Sequence, residues 1–358
     1  MVETVIELAI NDVAFGGKGV GRSGGKALFV PYVIDGETVS ARVVAEHKKF
    51  LEAELEAVLT SSPHRVEPRC PYFGRCGGCA YQHVDYEHQL ALKWRQVKET
   101  LRRIGKMENP PMRPLVPSPL EYEYRNRITV HVREGIIGFF RRDSNTLLDI
   151  ERCPIASSEV NERLTQLRAR HPAEGHYTLR AHAGAPVFVQ ANDAVAASLL
   201  DLVDRSIAPS VDLVIDAYCG AGFFAKRLRS RCKKIIGIDW NQHAIAAARK
   251  GANTNEEYIA ADIETELPRL LQENRSESFA LILDPPATGL TEATRHTLLA
   301  HPPTQLIYVS CNPGTLARDL NALKNSFSCE SVTPLDMFPQ TAEIEVTAEL
   351  SPRRSGTR

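Results

Sequence analysis

The sequence predicts an α/β protein. A doubly wound, Rossmann-like parallel sheet fills the second half, a small β-barrel opens the chain, and a compact α+β region lies between them. Three observations carry this. From Val211 onward, apolar runs alternate with helical stretches, the pattern of a parallel sheet with crossover helices. Residues 1–60 instead alternate apolar and polar residues between glycine turns at Gly16-Gly17, Gly19, Gly21 and Gly24-Gly25, as short strands do. Leu306-Ile307-Tyr308-Val309 leads straight into Ser310-Cys311-Asn312-Pro313 and a helix. A cysteine therefore stands at the carboxyl end of a strand, where open α/β sheets bind their ligands. A small buried hydrophobe is the plainer role for such a residue.

The 358 residues allow two or three domains. The divisions predicted are 1–60, 61–175 and 176–358. No run is long and apolar enough to span a membrane. MVETVIELAI carries acids and lacks the basic start of a signal peptide, so the expected location is the cytoplasm. Net charge is −1, but residues 61–175 hold 19 Lys and Arg against 14 Asp and Glu, whereas 24 face 30 elsewhere. A basic middle section fits either an RNA footprint or an ordinary solvated surface. Eight cysteines in a cytoplasmic chain point to metal binding or catalysis and away from disulfides.

The elements follow in order. VIELAINDVAFGGKGVGR, KALFVPYVIDGETVSARVV and FLEAELEAVL read as barrel strands. SSPHRVEP, 61–68, is a linker; the cysteine cluster follows, then a helix over about 85–104. The proline-rich stretch 107–122 is a second loop. YRNRITVHVREGIIGFFRR reads as a hairpin around Glu134-Gly135, and a third region starts near His176.

DLVIDAYCGAGFFAKRL is a strand, a glycine turn and a helix, with Gly220 and Gly222 letting the backbone approach a ligand. The next strand ends in Asp239, placed to accept from ribose hydroxyls, and the third ends at Asp262, near an adenine amino group. Nicotinamide, flavin and S-adenosylmethionine sites all use such a turn. Two features favour S-adenosylmethionine: the third glycine of a dinucleotide site is missing, and FALILDPP ends in Asp284-Pro285-Pro286, a rigid exit from a strand. A tight structural exit is the competing reading.

With a methyl donor, Cys311 acquires a role. A thiolate adding to carbon 6 of uracil makes carbon 5 nucleophilic, and a base must then remove the carbon-5 proton. Glu343 and Glu345 in DMFPQTAEIEVTAEL alternate with Ile344, Val346, Ala348 and Leu350. They read as candidate bases or as one solvated strand face. Cys70, Cys76, Cys79 and a distant Cys153 have spacing for a Cys₄ site, zinc and iron–sulfur being equally compatible by spacing alone.

The chain resembles, end to end, the RNA 5-methyluridine methyltransferases, and most of all those of 23S rRNA that carry an iron–sulfur cluster and a TRAM domain. AFGGKGVGRSGGKALFVPYVIDGETVSARVV is similar to the TRAM domain, an OB-like RNA-binding barrel. CPYFGRCGGCAYQH with ERCPI is similar to the four-cysteine [4Fe-4S] site. FVQAN, DAYCGAG, DPP, SCNPGTLARDL and DMFPQT match the methyltransferase motifs in order. The resemblance implies methylation of uridine carbon 5 in RNA, with 23S rRNA first, tRNA as the alternative, and a monomeric enzyme. It assigns Cys311 as nucleophile and Glu345 as general base. Gln190, Tyr218, Gly220, Gly222, Asp239 and Asp284 become S-adenosylmethionine contacts, with Asp262 expected to join them. Cys70, Cys76, Cys79 and Cys153 become cluster ligands.

Four positions depart from the family pattern: Ala287 for Arg after Asp-Pro-Pro, Phe223 for Asn, Asp239 for Glu, and Glu343 for His. Glu343 is expected on the same strand face as Glu345, where a second carboxylate raises the pKa of one of them. The hairpin residues Arg125, Arg127, Arg133, Arg141 and Arg142, interleaved with Tyr124, Phe139 and Phe140, are candidate RNA contacts. Two rival readings are an amino-methyltransferase, disfavoured by Ala287 where an aromatic is expected, and a non-catalytic RNA-binding or assembly protein on the same fold.

Overall fold

The computed structural model describes residues 4–142, 144–182 and 189–353. The chain forms two compact units. The first comprises the residues up to Gln96, Ser118–His182 and Phe338–Glu343. The second comprises Val97–Pro117, the stretch after His182 as far as Met337, and Ile344 onward.

In the first unit, β1 (Val5–Ala9), β2 (Asp12–Val13), β3 (Lys18–Ser23), β4 (Lys26–Pro31), β5 (Thr38–Glu46) and β6 (Phe50–Thr60) make one sheet in the order β1-β5-β6-β4-β3-β2. Alternate side chains point inward, so Leu8, Leu28, Val30, Val39 and Ala41 form one apolar core. Register shifts between β5 and β6 bend the sheet, as the glycine-punctuated alternation predicts. Helix α1 (Tyr86–Arg103) then follows.

A second sheet of this unit has the order β10-β7-β8-β9, from β7 (Arg127–Arg133), β8 (Ile136–Phe140), β9 (Leu147–Asp149) and β10 (Gly175–Arg180). Glu134 and Gly135 both take positive φ, which suits a two-residue hairpin turn between right-twisted strands. Helix α2 (Ser158–Ala169) covers one face, with Val160 and Leu164 packed on Ile128, Val130 and Ile150. The segment starting near His176 thus opens with an edge strand of this sheet, since Tyr177 lies opposite Val130.

Phe338–Glu343 is bound tightly into the first unit. The Ala80 and Tyr81 N–H groups both donate to Gln340 O at 3.0 Å. Gln89 and Gln340 exchange two buried hydrogen bonds, Gln89 Nε2 to Gln340 Oε1 at 3.0 Å and Gln340 N–H to Gln89 Oε1 at 3.1 Å. Lys93 Nζ donates to Phe338 O, and the Tyr124 hydroxyl to Pro339 O.

The second unit alternates strands and helices: α3 (Asp193–Ser206), β11 (Leu213–Ala217), α4 (Phe223–Leu228), β12 (Lys234–Asp239), α5 (Gln242–Arg249), β13 (Glu256–Ala260), α6 (Ile263–Glu273), β14 (Phe279–Leu283), α7 (Glu292–Ala300), β15 (Gln305–Ser310), α8 (Pro313–Leu323), β16 (Phe327–Leu335) and β17 (Glu345–Pro352). The sheet order is β13-β12-β11-β14-β15-β17-β16. The first five strands are parallel; β17 runs antiparallel to both its neighbours. Every residue of β11 and β14 is buried, as both-face coverage by helices requires. Each Leu or Ile buried there contributes about 1.5–3 kcal/mol. From β11 the chain moves outward through β12 and β13, then returns to β14 on the other side. The crevice at that reversal, beyond the carboxyl ends of β11 and β14, is the expected ligand position. Among the described residues, no helix is long and apolar enough to cross a membrane.

Candidate active site and a cysteine-lined cavity

A cavity of about 300 Å³ opens at the reversal point, bordered by Gln190, Tyr218, Gly220, Gly222, Phe223 and Asp284. Five of the seven residues expected to hold a cofactor are therefore brought together. Gly222 has φ 81°, and a Cβ there would fall 2.7 Å from the Tyr258 hydroxyl, so both the backbone conformation and the close approach require glycine. Tyr218 also has positive φ, 65°, an uncommon state for a bulky residue that the tight turn imposes.

Asp239 does not border the cavity but braces it. Its two carboxylate oxygens accept from the N–H groups of Gly220 and Asn241, at 2.9 and 2.8 Å. One bond fixes the glycine turn and the other fixes the start of α5. Asp262 is exposed at the same edge and caps α6, accepting from Glu264 N–H at 2.8 Å.

Three residues here escaped the reading of the sequence. Asp216 lies within β11 with no exposed surface; one oxygen accepts from Ala225 N–H at 3.1 Å, and the other has no hydrogen-bond partner among the described residues. Burial pushes its carboxyl up to about 8, with Asp284 and Asp239 adding to the rise. Burial raises Asp284 as well. An acid inside the apolar run Leu213-Val214-Ile215-Asp216-Ala217 was the available signal. Trp240 directly follows Asp239 and is 71% exposed. Asp319 is the third.

Cys311 directly follows β15 and is exposed, unlike Cys219 and Cys232, which are buried, and Cys329, which is half-buried. Burial pushes all three of those thiols up, so they stay protonated and inert. Asn312 caps α8, its Oδ1 accepting from Gly314 N–H at 2.9 Å. Asn312 Nδ2 and the Thr315 hydroxyl both donate to Ala287 O, at 3.2 and 3.0 Å. Arg318 Nη2 donates to Thr288 O and Leu290 O. The loop after Asp284-Pro285-Pro286 is thus tied along its length to the helix that follows Cys311.

Asp319 closes this arrangement. It has no exposed surface and accepts from Leu290 N–H, the Tyr308 hydroxyl, Arg295 and Arg318 at 2.8, 2.8, 3.0 and 2.9 Å. Gly289 takes φ 74°, and a Cβ on it would lie 2.6 Å from Asp319 Oδ2. The Arg that the family carries at Ala287 is absent, but this loop is still held.

Glu345 is the first residue of β17 and is 3% exposed. The solvated-face reading of this segment is overturned, since Glu345 and Thr347 are buried and Glu349 accepts from the Ser206 hydroxyl at 2.7 Å. The reason is that β17 is an interior strand, flanked by β15 and β16. The expectation that Glu343 shares a strand face with Glu345 is also corrected. Glu343 precedes the strand and is exposed, its N–H donating to Thr341 Oγ1 at 3.2 Å.

In the first unit, Cys70, Cys76, Cys79 and Cys153 border one cavity of about 300 Å³. Cys70 N–H donates to Gln82 Oε1, and Cys153 N–H to Asn161 Oδ1 at 2.8 Å. Burial pushes Cys79 up to about 12 and Cys153 to about 11, and the neighbouring cysteines add to both shifts. Among the described residues, no three or more His, Cys, Asp or Glu side chains, these cysteines included, form a group that could hold a metal ion.

The parallel sheet, its glycine turn and the cavity at the reversal define an S-adenosylmethionine-dependent methyltransferase fold. Residues 1–55 match the TRAM domain, and residues 176–353 match the tRNA (uracil-5-)-methyltransferase family. The chain is 32% identical over 374 residues to an uncharacterized RNA methyltransferase of Bdellovibrio bacteriovorus, covering 96% of this chain and 94% of that protein. It is 30% identical over 422 residues to an uncharacterized RNA methyltransferase of Aquifex aeolicus, covering 98% and 99%. The crystal structure of the Pyrococcus abyssi tRNA (uracil-54, C5)-methyltransferase in complex with S-adenosyl-L-homocysteine shares the fold, with a TM-score of 0.70 at 24% identity, over 96% of this chain and 100% of that one. The chain belongs to the tRNA (uracil-5-)-methyltransferase family and carries an N-terminal TRAM domain. It is an RNA uracil-5 methyltransferase.

Proposed function

We propose that this enzyme methylates one uridine of 23S rRNA at carbon 5 through a covalent adduct on Cys311, with Glu345 as the general base. The observation that carries the proposal is an exposed thiol just past the end of β15 beside a strand, β17, that starts with a buried carboxylate. S-adenosylmethionine supplies an electrophilic methyl group. Cys311 Sγ, as thiolate, forms a bond to carbon 6 of uracil and sends the electron pair of the 5,6 double bond toward O4. Carbon 5 then takes the methyl group, and the sulfur–methyl bond of the donor breaks. Glu345 removes the proton from carbon 5; the double bond re-forms and expels the Cys311 thiolate.

Gln190, Tyr218, Gly220, Gly222, Asp239, Asp262 and Asp284 are proposed to hold the donor. The cavity supports this for Gln190, Tyr218, Gly220, Gly222 and Asp284, which border it; Asp239 and Asp262 stand at the carboxyl ends of the next two strands. We assign Cys70, Cys76, Cys79 and Cys153 to a [4Fe-4S] cluster; four thiols around one cavity, with no carboxylate on its border, are a donor set that suits it. Such a cluster would tie Cys153 to the cysteine loop and serve a structural purpose. The functional parts are taken as a TRAM barrel over 1–60, an iron–sulfur domain over 61–175 and a methyltransferase domain over 176–358, in a monomer acting in the cytoplasm.

The tRNA reading has one observation in its favour. The Pyrococcus abyssi protein of like fold, matched over its full length, is named for uracil-54 of tRNA. One experiment separates the two. Purified protein is incubated with S-adenosylmethionine and 5-fluorouridine-substituted total RNA, in which the fluorine cannot leave as a proton. A denaturation-resistant adduct that disappears in Cys311→Ala is expected, and sequencing the trapped RNA names the target. No adduct, from protein that binds the donor, would falsify the covalent route.

A further inference from the structure

The first unit contains a groove of about 520 Å³ that no step above uses. One wall is aromatic: the His131 and Phe140 rings lie 4.4 Å apart between centroids, tilted by 43°. Arg141 and Arg142 follow. Arg141 is exposed, and Arg142 lies over the Tyr32 ring at 4.8 Å. The floor is backbone at Gly77 and Gly78, with Gly77 N–H donating to Phe140 O at 3.2 Å and Arg142 N–H to Arg75 O at 3.1 Å. The facing segment is 341–343, which ends in the exposed carboxylate of Glu343.

Ring faces, a guanidinium and a carboxylate around one concavity form a distinct chemical combination. Aromatic rings stack on any unstacked base. An exposed Arg pairs with phosphate. A carboxylate only accepts hydrogen bonds, so it selects a base edge that donates them, as at the N4 amino group of cytosine. Uracil presents an oxygen at the equivalent position and meets the carboxylate with a second acceptor. The size suits one nucleotide, since small-ligand cavities run from about 300 to 1,000 Å³.

We propose that this groove binds one unstacked, amino-bearing nucleotide of the substrate RNA. The base rests against Phe140 and His131, the phosphate meets Arg141, and Glu343 accepts from the exocyclic amino group. The proposal rests on the RNA methyltransferase reading and adds to it a second recognised nucleotide. It also gives a use to Glu343, which stands where the family usually carries His.

The test is equilibrium binding of fluorescein-labelled single-stranded hexanucleotides, oligo(rC) and oligo(rU), to the full chain without methyl donor. The wild type is expected to prefer oligo(rC) by about 10-fold or more. Glu343→Gln, which offers a donor as well as an acceptor, is expected to bring the two within about 2-fold of each other. Phe140→Ala is expected to weaken both by about 10-fold. Because Phe140 also packs within its sheet, the exposed Arg141→Ala provides a second variant, with a smaller loss and a shallower salt dependence. Wild-type binding with no preference, or with a preference and affinity unchanged in all three variants, overturns the subsite alone. No binding of either oligonucleotide, with methyl transfer to RNA also absent, overturns the RNA reading along with it.

Discussion

Cys311 and Glu345 stand at the same end of two adjacent antiparallel strands, Cys311 just past the last residue of β15 and Glu345 the first residue of β17. Ser310, which precedes Cys311, pairs with Val346, which follows Glu345. One edge of the sheet therefore carries both a thiol and a carboxylate, one exposed and one buried.

If these two residues divide the chemistry, both variants lose rate but only one accumulates the adduct. Cys311→Ala lowers the methylation rate by roughly 10⁴-fold or more, since the nucleophile carries the whole mechanism. Glu345→Gln lowers it by about 10² to 10⁴-fold and leaves the covalent intermediate standing on ordinary uridine RNA. Gel-shifted protein after denaturation, seen in Glu345→Gln and absent from Cys311→Ala, is the readout. Equal behaviour of the two variants would refute the division of roles.

Asp216 makes stability depend on pH. Its native carboxyl titrates near 8, so the native state keeps a proton that the unfolded chain releases at about pH 4. Stability falls as pH rises from about 4 toward the native value and then levels off. Asp216→Asn keeps an acceptor for Ala225 N–H and removes the titration. Its melting temperature is expected to fall less than that of the wild type between about pH 5 and about pH 8, as scanning calorimetry would show.

Asp319 is a buried acceptor whose partners include two arginines. Its replacement by Ala strands Arg295 and Arg318 beside a void and is expected to cost about 3–5 kcal/mol in urea unfolding. Asp319→Asn retains part of the hydrogen bonding and falls between the two. Because the same carboxylate holds Leu290, the Asn variant also loses activity without losing donor binding.

Trp240 directly follows Asp239, the last residue of β12, and is exposed. The chain has two tryptophans, so replacing one isolates the emission of the other. S-adenosyl-L-homocysteine is expected to quench the emission of the wild type and of Trp94→Phe, and not that of Trp240→Phe. Trp240→Ala weakens binding about 3- to 10-fold, the value of one aromatic contact. Full quenching in Trp240→Phe would contradict this.

Much of the fold was legible because its signals are local. Glycine turns mark the barrel, Glu134-Gly135 marks the hairpin, and apolar runs alternating with helical stretches mark the parallel sheet. Helix α1, expected over about 85–104, spans Tyr86–Arg103. What stayed hidden depended on long-range pairing. Glu345 reads as a surface residue until β16 and β15 close on both sides of its strand. Asp216 and Asp319 look like ordinary acids until the loops that donate to them are in place. Glu343 reads as part of the strand when its alternation is continued two residues too far, because periodicity does not register where pairing begins.

The short segment Phe338–Glu343 has a consequence for biosynthesis. Gln340 pins Ala80 and Tyr81, at the end of the cysteine loop, yet it follows its partner Gln89 by 251 residues. At about 5–20 residues per second, a ribosome takes roughly 10–50 s to cover that interval. For that time the Gln89 side chain has only its local bonds to the Tyr81 and Val84 carbonyls, and the cysteine loop is open on one side. The final clasp is supplied only when synthesis has passed Glu343, so a chain cut short in β16 would retain its barrel but never complete the unit around it.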